Sequence, residues 1–292
     1  MEIYEKMTGN IIKAVKIKEI IRSGSSLPVI TEDESGNEFI VKLKGIGDGI
    51  ITNITEYIST CIGYNIELPV LRPYIINIDE NTSVHIKSDE FEELIQRSYG
   101  LNICHIFYRN AFPYEKTGKI IDKEITDKIF LFDCFLLNVD RRKLHSDVIS
   151  AGDETFATDF GSSFLIRGIV NDINFYNDES IIKQIKRSPF YNENIPEDTL
   201  SYMFEKLMRT DISSIISELP DEWLNDINEN TDTLKKQMHQ RLKYYINNKN
   251  LFLEALERMK ELEIESEEEI KKRQQENRKK FESKILFKNR KQ

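Results

Sequence analysis

Two short segments place carboxylates where an apolar run ends. An apolar helical pattern runs into a polar turn and delivers Asp140 and Arg141 in the segment FLFDCFLLNVDRRKLHSD. A short apolar strand then ends at Asp159 in the segment TFATDFGSSF. One carboxylate can orient and deprotonate a hydroxyl while a second holds magnesium on the phosphates of a nucleotide. Each aspartate alone also fits an ordinary turn or cap residue, but the ordered pair indicates phosphoryl transfer.

A lysine within a predicted strand and a loop of small residues lie upstream of these carboxylates. Lys42 occupies the middle of the strand FIVKLK, where an ammonium is costly to bury without an anionic partner such as an ATP phosphate. The alternative is that Lys42 is the outward-facing residue of an alternating strand. Gly24, Ser25 and Ser26 lie in the loop IRSGSSLPVI, whose backbone N–H groups could line a phosphate or form a common β-turn.

The elements that must position these residues fall into a β-rich part and a helical part. Short apolar or alternating runs predict strands before residue 89, with a hairpin turn at ESGNE and one helix over about 53–63 that ends at Gly63. Helical patterns follow, among them DEFEELIQRSYGLNICHIFYRNAF and ITDKIFLFDCFLL. We therefore predict an α+β fold with a small β-rich N-lobe over 1–88 and a larger helical C-lobe over 89–229 that carries the two carboxylate turns.

The C-terminal segment has a composition of its own. Residues 230–292 contain no Gly or Pro and are rich in helix-forming residues, which predicts long C-terminal helices. An apolar face that includes Phe252, Ala255 and Met259 should pack on the body, whereas the part beyond Glu265 should project. A projecting helix is a candidate binding surface for a partner protein.

Composition excludes several classes of function. The net charge is −9 and 31% of the residues are charged, so we expect neither direct nucleic-acid binding nor attraction to anionic membranes. No apolar run approaches the roughly 18 residues that span a bilayer, and the N-terminus has no apolar leader pattern, which predicts a cytoplasmic protein. The 3 cysteines are isolated and lack zinc-ligand spacing.

The order of these features resembles that of the HipA-like kinases. From about Gly24 to Phe164 the chain presents, in this order, a small-residue loop, a lysine in a strand, a helix, a helical lobe, an N-x-D-R turn and a strand that ends in Asp-Phe-Gly. This family includes the toxin kinases of bacterial toxin–antitoxin systems and is distantly related to the phosphatidylinositol kinases. The resemblance implies a bilobed protein-kinase-like fold, ATP between the lobes, and transfer of the γ-phosphate to a Ser or Thr of a protein.

The resemblance also implies a role for each matching residue. Lys42 would contact the α- and β-phosphates, and Glu56 lies close to the place of the helix glutamate that pairs with this lysine. Asp140 would be the catalytic base or hydroxyl-orienting residue, with Arg141 as its electrostatic neighbour. Asp159 would hold magnesium.

The small-residue loop matches the phosphate-covering loop of the family. Gly24, Ser25 and Ser26 would then contact the nucleotide. Some relatives phosphorylate a serine of this loop and thereby switch themselves off. Ser23, Ser25 and Ser26 are the candidates for such a site in this chain.

The chain departs from the family pattern after the catalytic turn. His145 stands where the family usually has the Asn that supplies the second metal ligand. Magnesium prefers oxygen ligands, so a histidine there should favour manganese or another softer ion. Asp147 could supply the missing oxygen, which gives Asp159, His145 and Asp147 as the predicted metal ligands. The alternative is that the second metal site is lost.

Three hypotheses of function follow. The first is an ATP-dependent HipA-like protein Ser/Thr kinase, one form of which is a toxin restrained by an antitoxin-like partner. The second is a nucleotide-binding pseudokinase that acts as an interaction module through its C-terminal helices. The third is a kinase with a small-molecule acceptor, because the fold does not identify the acceptor.

Overall fold

The chain is described here by a computed structural model that covers residues 11–21, 27–86, 88–143, 145–171, 173–227 and 230–264. It has a β-rich N-terminal region and a helical C-terminal region. The strands are β1 (Ile12–Ile20), β2 (Val29–Asp33), β3 (Glu38–Lys42), β4 (Tyr74–Ile78), β5 (Ser83–Val84), β6 (Gly100–Ile106), β7 (Ala111–Pro113), β8 (Val148–Ala151) and β9 (Glu154–Ala157). The helices are α1 (Ile50–Asn65), α2 (Asp89–Gln96), α3 (Lys123–Leu136), α4 (Phe164–Asn171), α5 (Glu179–Ile185), α6 (Glu197–Arg209), α7 (Ile212–Ser217), α8 (Asp221–Asn225), α9 (Thr231–Asn247) and α10 (Lys249–Glu261).

The N-terminal sheet has the strand order β2-β3-β6-β4-β1-β5, and β1 also pairs with β2, so that the sheet curls back on itself. The predicted hairpin between β2 and β3 is confirmed. Asp33 Oδ1 accepts hydrogen bonds from the backbone N–H groups of Ser35 and Asn37, and Gly36 takes the left-handed conformation that the turn requires. This turn sets the register of β3 and thereby places Lys42 at its end.

Strand β6 corrects the sequence prediction, which expected helix throughout this part of the chain. Gly100–Ile106 is a strand between β3 and β4, and Ile103 pairs with Lys42. The apolar run around Cys104 has no periodicity that would distinguish a buried strand from a helix. Its backbone pairs with β3 on one side and β4 on the other, and this pairing makes it a strand. Helix α2 buries Phe91 and Ile95 in the same core. The sheet thus continues past residue 88, where the sequence placed the end of the N-lobe.

Helix α1 is longer than predicted, and Gly63 does not end it. The helix runs over Ile50–Asn65, with Gly63 inside its last turn. A Cβ atom at Gly63 would lie 3.1 Å from the ring of Phe132 on α3. The glycine therefore permits a close approach of two helices instead of terminating one. Ile54, Ile58 and Ile62 anchor α1 in the core of the helical region.

The first part of the predicted C-terminal helices packs on the body, as expected. Leu234, Met238 and Leu242 of α9 are buried, and so are Phe252 and Met259 of α10. These helices therefore complete the core of the C-lobe, which continues beyond residue 229. The segment predicted to project lies outside the described residues. Within the described part of the chain, every helix is too short or too polar to cross a bilayer.

Helix α8 fastens the helical region to the sheet. Lys44 Nζ lies 2.5 Å from Glu222 Oε1, which also accepts a hydrogen bond from the backbone N–H of Leu101 at 2.9 Å. The indole N–H of Trp223 donates to the carbonyl of Leu101 at 2.8 Å. Gly100 has a φ of 101°, and a Cβ there would lie 2.2 Å from Glu222 Oε1. Only glycine leaves room for this interlobe contact.

We expect Gly100→Ala to destabilise the fold more than Gly36→Ala. Both glycines have positive φ and share a backbone cost of about 1–2 kcal/mol, but Gly36 has open space at its Cβ. Alanine at 100 must also displace Glu222, which costs roughly 1 kcal/mol more. Urea denaturation of both variants measures the difference. In a Glu222→Ala background the extra cost of Gly100→Ala should shrink without vanishing, because the flexible end of Lys44, 2.8 Å from the added Cβ, then remains to be displaced. An undiminished difference would contradict this account.

Candidate active site

A cleft of about 550 Å³ lies between the sheet and the helical region. It collects the carboxylates and the lysine that the sequence singled out, together with Arg142 and Arg167, two arginines that it did not. Its lining includes Lys42, Asp48, Thr52, Asp140, Arg142, His145, Asp147, Asp159, Gly161, Ser162 and Arg167. Residues more than a hundred positions apart in sequence therefore meet in one polar cavity.

Lys42 is the positive centre of this cleft. Its Nζ lies 2.9 Å from Glu56 Oε2 and 2.7 Å from Asp159 Oδ1. Burial by itself would lower the pKa of Lys42, but the charges of Asp159 and Glu56 outweigh it and raise that pKa above its usual value. Lys42 is thus an inward-facing ammonium with anionic partners, and the reading of an outward-facing strand residue does not apply.

Glu56 reaches Lys42 from the middle of α1, so the structure contains the pair that the sequence suggested. The Glu56 side chain is only 1% exposed, and its other oxygen, Oε1, lies 3.4 Å from His105 Nε2. Burial opposes ionisation of this carboxyl, but Lys42 and His105 overcome it and lower its pKa to about 2. Glu56 is therefore a fixed carboxylate that orients the lysine.

The end of α3 delivers Asp140 to the cleft. Leu137 caps the helix in the left-handed conformation, and the backbone N–H of Asn138 donates to the carbonyl of Asp133. This reversal turns Asp140 toward the cavity, where its Oδ1 lies 3.6 Å from Arg142 Nη2. Its Oδ2 accepts a hydrogen bond from the hydroxyl of Ser162. A carboxylate that already accepts from a serine hydroxyl has the orientation that a general base needs.

Arg141 points away from the cleft, in contrast to the predicted role beside Asp140. Its side chain is 1% exposed, and its Nε lies 2.5 Å from Asp133 Oδ2. It also donates to the carbonyls of Ser146 and Asp147, at 2.5 and 2.9 Å. The fixed fork of a guanidinium suits such a set of acceptors. Arg141 therefore holds the turn that carries Asp140 from its buried side.

Asp159 and Asp147 face the cleft from the two ends of the β8–β9 hairpin. The backbone N–H of Thr158 donates to the carbonyl of Asp147 at 2.7 Å, and both aspartates have positive φ. Burial and the negative charge of Asp159 raise the pKa of Asp147 to about 7. The two carboxylates therefore disfavour each other's charge across this end of the cavity, and both residues adopt a left-handed conformation that aspartate tolerates better than most non-glycine residues.

The predicted metal ligands share the cleft, but they do not form a ready-made cluster. His145 is exposed, and its backbone is paired with that of Arg142 on the rim. Within the described ranges, no group of three or more His, Cys, Asp or Glu side chains is arranged to hold a metal ion. The oxygens of Asp159 and Asp147 nevertheless have the chemistry that magnesium prefers.

The predicted phosphate-covering loop cannot be placed relative to the cleft. Gly24, Ser25 and Ser26, together with Ser23, lie outside the described residues. Their contact with a nucleotide therefore stays a prediction.

Sequence reasoning missed Asp133 and Arg167. Asp133 is an acid within the otherwise apolar run of α3, and that anomaly was the available signal. Arg167 donates to the carbonyl of Gly161 at 2.8 and 3.1 Å and pairs with Asp48 across the cleft. It lies on the helix after the Asp-Phe-Gly segment, and no local pattern in the sequence distinguishes it from a surface arginine.

We expect Arg141→Met to cost about 3–5 kcal/mol of unfolding free energy, because it leaves the carboxylate of Asp133 buried without a counter-ion. The neighbouring Arg142→Met is the matched control. Arg142 is 65% exposed, so this change should leave the unfolding free energy nearly unaltered. Urea denaturation followed by circular dichroism measures both. Equal stability of the two variants would rule out a buried positioning role for Arg141.

Comparisons with known proteins identify the family. A family model for the HipA-like kinases matches residues 14–255. The search of curated proteins found no match to this sequence. Among solved structures, the Helicobacter pylori proinflammatory kinase CtkA is similar with 14% identity and a TM-score of 0.47, over 87% of this chain and 100% of that one. A Golgi casein kinase is similar with 12% identity and a TM-score of 0.44, over 87% of this chain and 75% of that one. The family match covers most of the chain, which therefore belongs to the HipA-like kinase family.

Proposed function

We propose that this chain is an ATP-dependent protein serine/threonine kinase with a protein-kinase-like fold and its nucleotide in the cleft. The observation that carries the proposal is the placement of Lys42 between Glu56 and Asp159, with Asp140 in the same cavity. A cation held by two carboxylates at the edge of a polar cleft is preorganised for phosphates. Membership in a kinase family supports this reading.

Lys42 would bind the α- and β-phosphates of ATP. Its ammonium is oriented by the buried carboxylate of Glu56, so little reorganisation is needed when phosphate oxygens approach. The Asp159 side chain, which now pairs with Lys42, is 42% exposed, so phosphate oxygens can take its place beside the ammonium. Glu56 would remain as the buried partner. The pair thus supplies a lysine of fixed position and permanent charge.

Asp140 would accept the proton of the attacking hydroxyl. Its Oδ2 already accepts a hydrogen bond from a serine hydroxyl, that of Ser162, which supports an aliphatic alcohol as acceptor. The Arg142 guanidinium lies 3.6 Å from Oδ1, on the opposite side of the carboxylate from the oxygen that accepts from Ser162. We therefore assign Asp140 the role of base, and serine or threonine the role of acceptor.

The donor set fits a divalent cation. Asp159 and Asp147 offer carboxylate oxygens that face the same cleft, and oxygen is the ligand that such cations prefer. When bound, Mg²⁺ or Mn²⁺ would offset the charge of the phosphate oxygens. His145 on the rim adds a nitrogen that suits manganese better than magnesium.

The biological setting we propose is that of a toxin kinase with an antitoxin-like partner. The support is family membership alone. The C-terminal helices were predicted to hold such a partner, but α9 and α10 have their apolar faces buried in the C-lobe. A partner that uses this end of the chain would have to contact residues beyond 264 or the polar faces of these helices.

We expect Asp140→Ala to reduce ATP-dependent phosphoryl transfer by about 10²–10⁴-fold, because the hydroxyl loses its base. The measurement is label transfer from γ-labelled ATP, together with ATP consumption, in magnesium or manganese. Asp153→Ala, on the exposed tip of the β8–β9 hairpin, is the matched control and should behave as wild type. If Asp140→Ala and wild type turn over ATP equally, or neither does, the kinase proposal fails and the pseudokinase hypothesis takes its place.

We expect His145→Asn to shift the metal preference of turnover from manganese toward magnesium. An amide oxygen replaces an imidazole nitrogen on the rim of the cleft, and hard oxygen donors suit magnesium. The ratio of rates in saturating Mg²⁺ and Mn²⁺ is the quantity to compare. His239→Asn on α9 provides a control far from the cleft in sequence and should leave the ratio unchanged. An unaltered ratio in His145→Asn would remove His145 from the metal site.

A further inference from the structure

We propose that Ser162 is an intramolecular phosphoacceptor of this kinase, that is, a cis-autophosphorylation site inside the catalytic cleft. The inference rests on the proposed function, since it needs ATP in the cleft and Asp140 as base. Its basis is the hydrogen bond from the Ser162 hydroxyl to Asp140 Oδ2. That hydroxyl occupies the place in which the hydroxyl of an external substrate would have to lie.

The backbone on both sides of Ser162 is fixed, so the position of this hydroxyl is built into the fold. On one side, Arg167 donates twice to the carbonyl of Gly161, at 2.8 and 3.1 Å. On the other side, Ser163 forms a bridge with Asn138, and the N–H of Phe164 donates to the carbonyl of Leu137. Hydrogen bonds thus hold the segment after Asp-Phe-Gly against the turn that carries Asp140, and Ser162 lies between the two sets of bonds.

Ser162 also lies close to the phosphate-binding side of the cleft. A Cβ atom at the preceding residue, Gly161, would lie 3.7 Å from Lys42 Nζ and 3.4 Å from Glu56 Oε2. Three positions upstream, Asp159 pairs directly with Lys42. The short segment from Asp159 to Ser162 therefore connects the groups assigned to the phosphates with the group assigned to the acceptor. Ser162 is partly exposed, and it opens into this cavity.

The proposed phosphoryl transfer needs only ATP, the Ser162 hydroxyl and the Asp140 carboxylate. The Ser162 oxygen attacks the γ-phosphorus of ATP, a Pγ–Oγ bond forms, and the bond from the γ-phosphorus to the β,γ-bridging oxygen breaks. ADP leaves with that electron pair, and the serine proton passes to the carboxylate of Asp140. Because acceptor and base are held in contact within one chain, the step has the entropic advantage of an intramolecular reaction.

The neighbouring serine is a natural control. Ser163 is fully buried and donates to the carbonyl of Phe160 at 2.7 Å, with Ser59 as its other contact. Its hydroxyl thus faces the protein interior, whereas that of Ser162 faces Asp140. The two adjacent serines therefore differ in whether the hydroxyl contacts Asp140, which is the contact that the proposal requires.

The test combines phosphopeptide mapping with ATP consumption on the full chain. Wild type, Ser162→Ala, Ser162→Thr and Ser163→Ala are incubated with γ-labelled ATP and Mg²⁺ or Mn²⁺ and digested with trypsin. Ser162 and Ser163 fall in the peptide 144–167, and the loop serines fall in the peptide 23–42. We expect label in 144–167 for wild type and Ser163→Ala, loss of that label in Ser162→Ala, and phosphothreonine at position 162 in Ser162→Thr. The fraction labelled per unit time should stay constant on dilution, as a reaction within one chain requires.

Several outcomes would overturn the inference. ATP consumption with label only in 23–42, or with no label on the chain, removes Ser162 as acceptor but leaves the kinase proposal standing. Equal labelling of 144–167 in Ser162→Ala and Ser163→Ala has the same effect. A labelling rate that falls in proportion to protein concentration removes the intramolecular step. If no ATP is consumed in either metal, the proposed function and this inference fall together.

Discussion

A guanidinium that is shut off from water must find an acceptor for nearly every donor, and Arg141 does so at the point where the turn that carries Asp140 meets the β8–β9 hairpin. Asp133 neutralises its charge, the carbonyls of Ser146 and Asp147 accept from its Nη1, and the carbonyl of Thr158 accepts from its Nη2. Removal of either charged partner would leave the other buried and unpaired. The residue next to Arg141 in the chain is Asp140, so the orientation of the proposed base depends on this buried pair.

Lys42 extends the same dependence to the sheet and to α1. It joins β3 to Glu56 on α1 and to Asp159 after β9, so three elements have to be in register for the site to exist. The contacts of Glu222 and Trp223 with Lys44 and Leu101 hold the lobes together at a second point. Any motion of α1 relative to the sheet would therefore change the environment of the lysine before it changed that of Asp140.

The cleft that we assign to a polyanion carries both acidic and basic side chains. Four carboxylates line it, those of Asp48, Asp140, Asp147 and Asp159. Burial and the charge of Asp159 raise the pKa of Asp147, although the charges of Arg141 and Lys42 oppose this shift. A nucleotide accompanied by a divalent cation suits such a site better than a free phosphate does. The Ser162 hydroxyl gives Asp140 a neutral hydrogen-bond partner, which adds no further charge to this cluster.

The sequence by itself determined several of the elements and the side chains that could take part in chemistry. The β2–β3 hairpin, helix α3 and the turns that carry Asp140 and Asp159 follow from local patterns, because turn residues and periodicity act over a few positions. Tertiary structure decided the rest. Gly100–Ile106 is a strand because it pairs with a neighbouring strand on each edge. Gly63 lies against the ring of Phe132, where a side chain would not fit without a shift. Burial of Arg141 and the meeting of Ser162 with Asp140 depend on packing between distant segments, and a local pattern carries no information about which of two adjacent polar side chains will face the cleft.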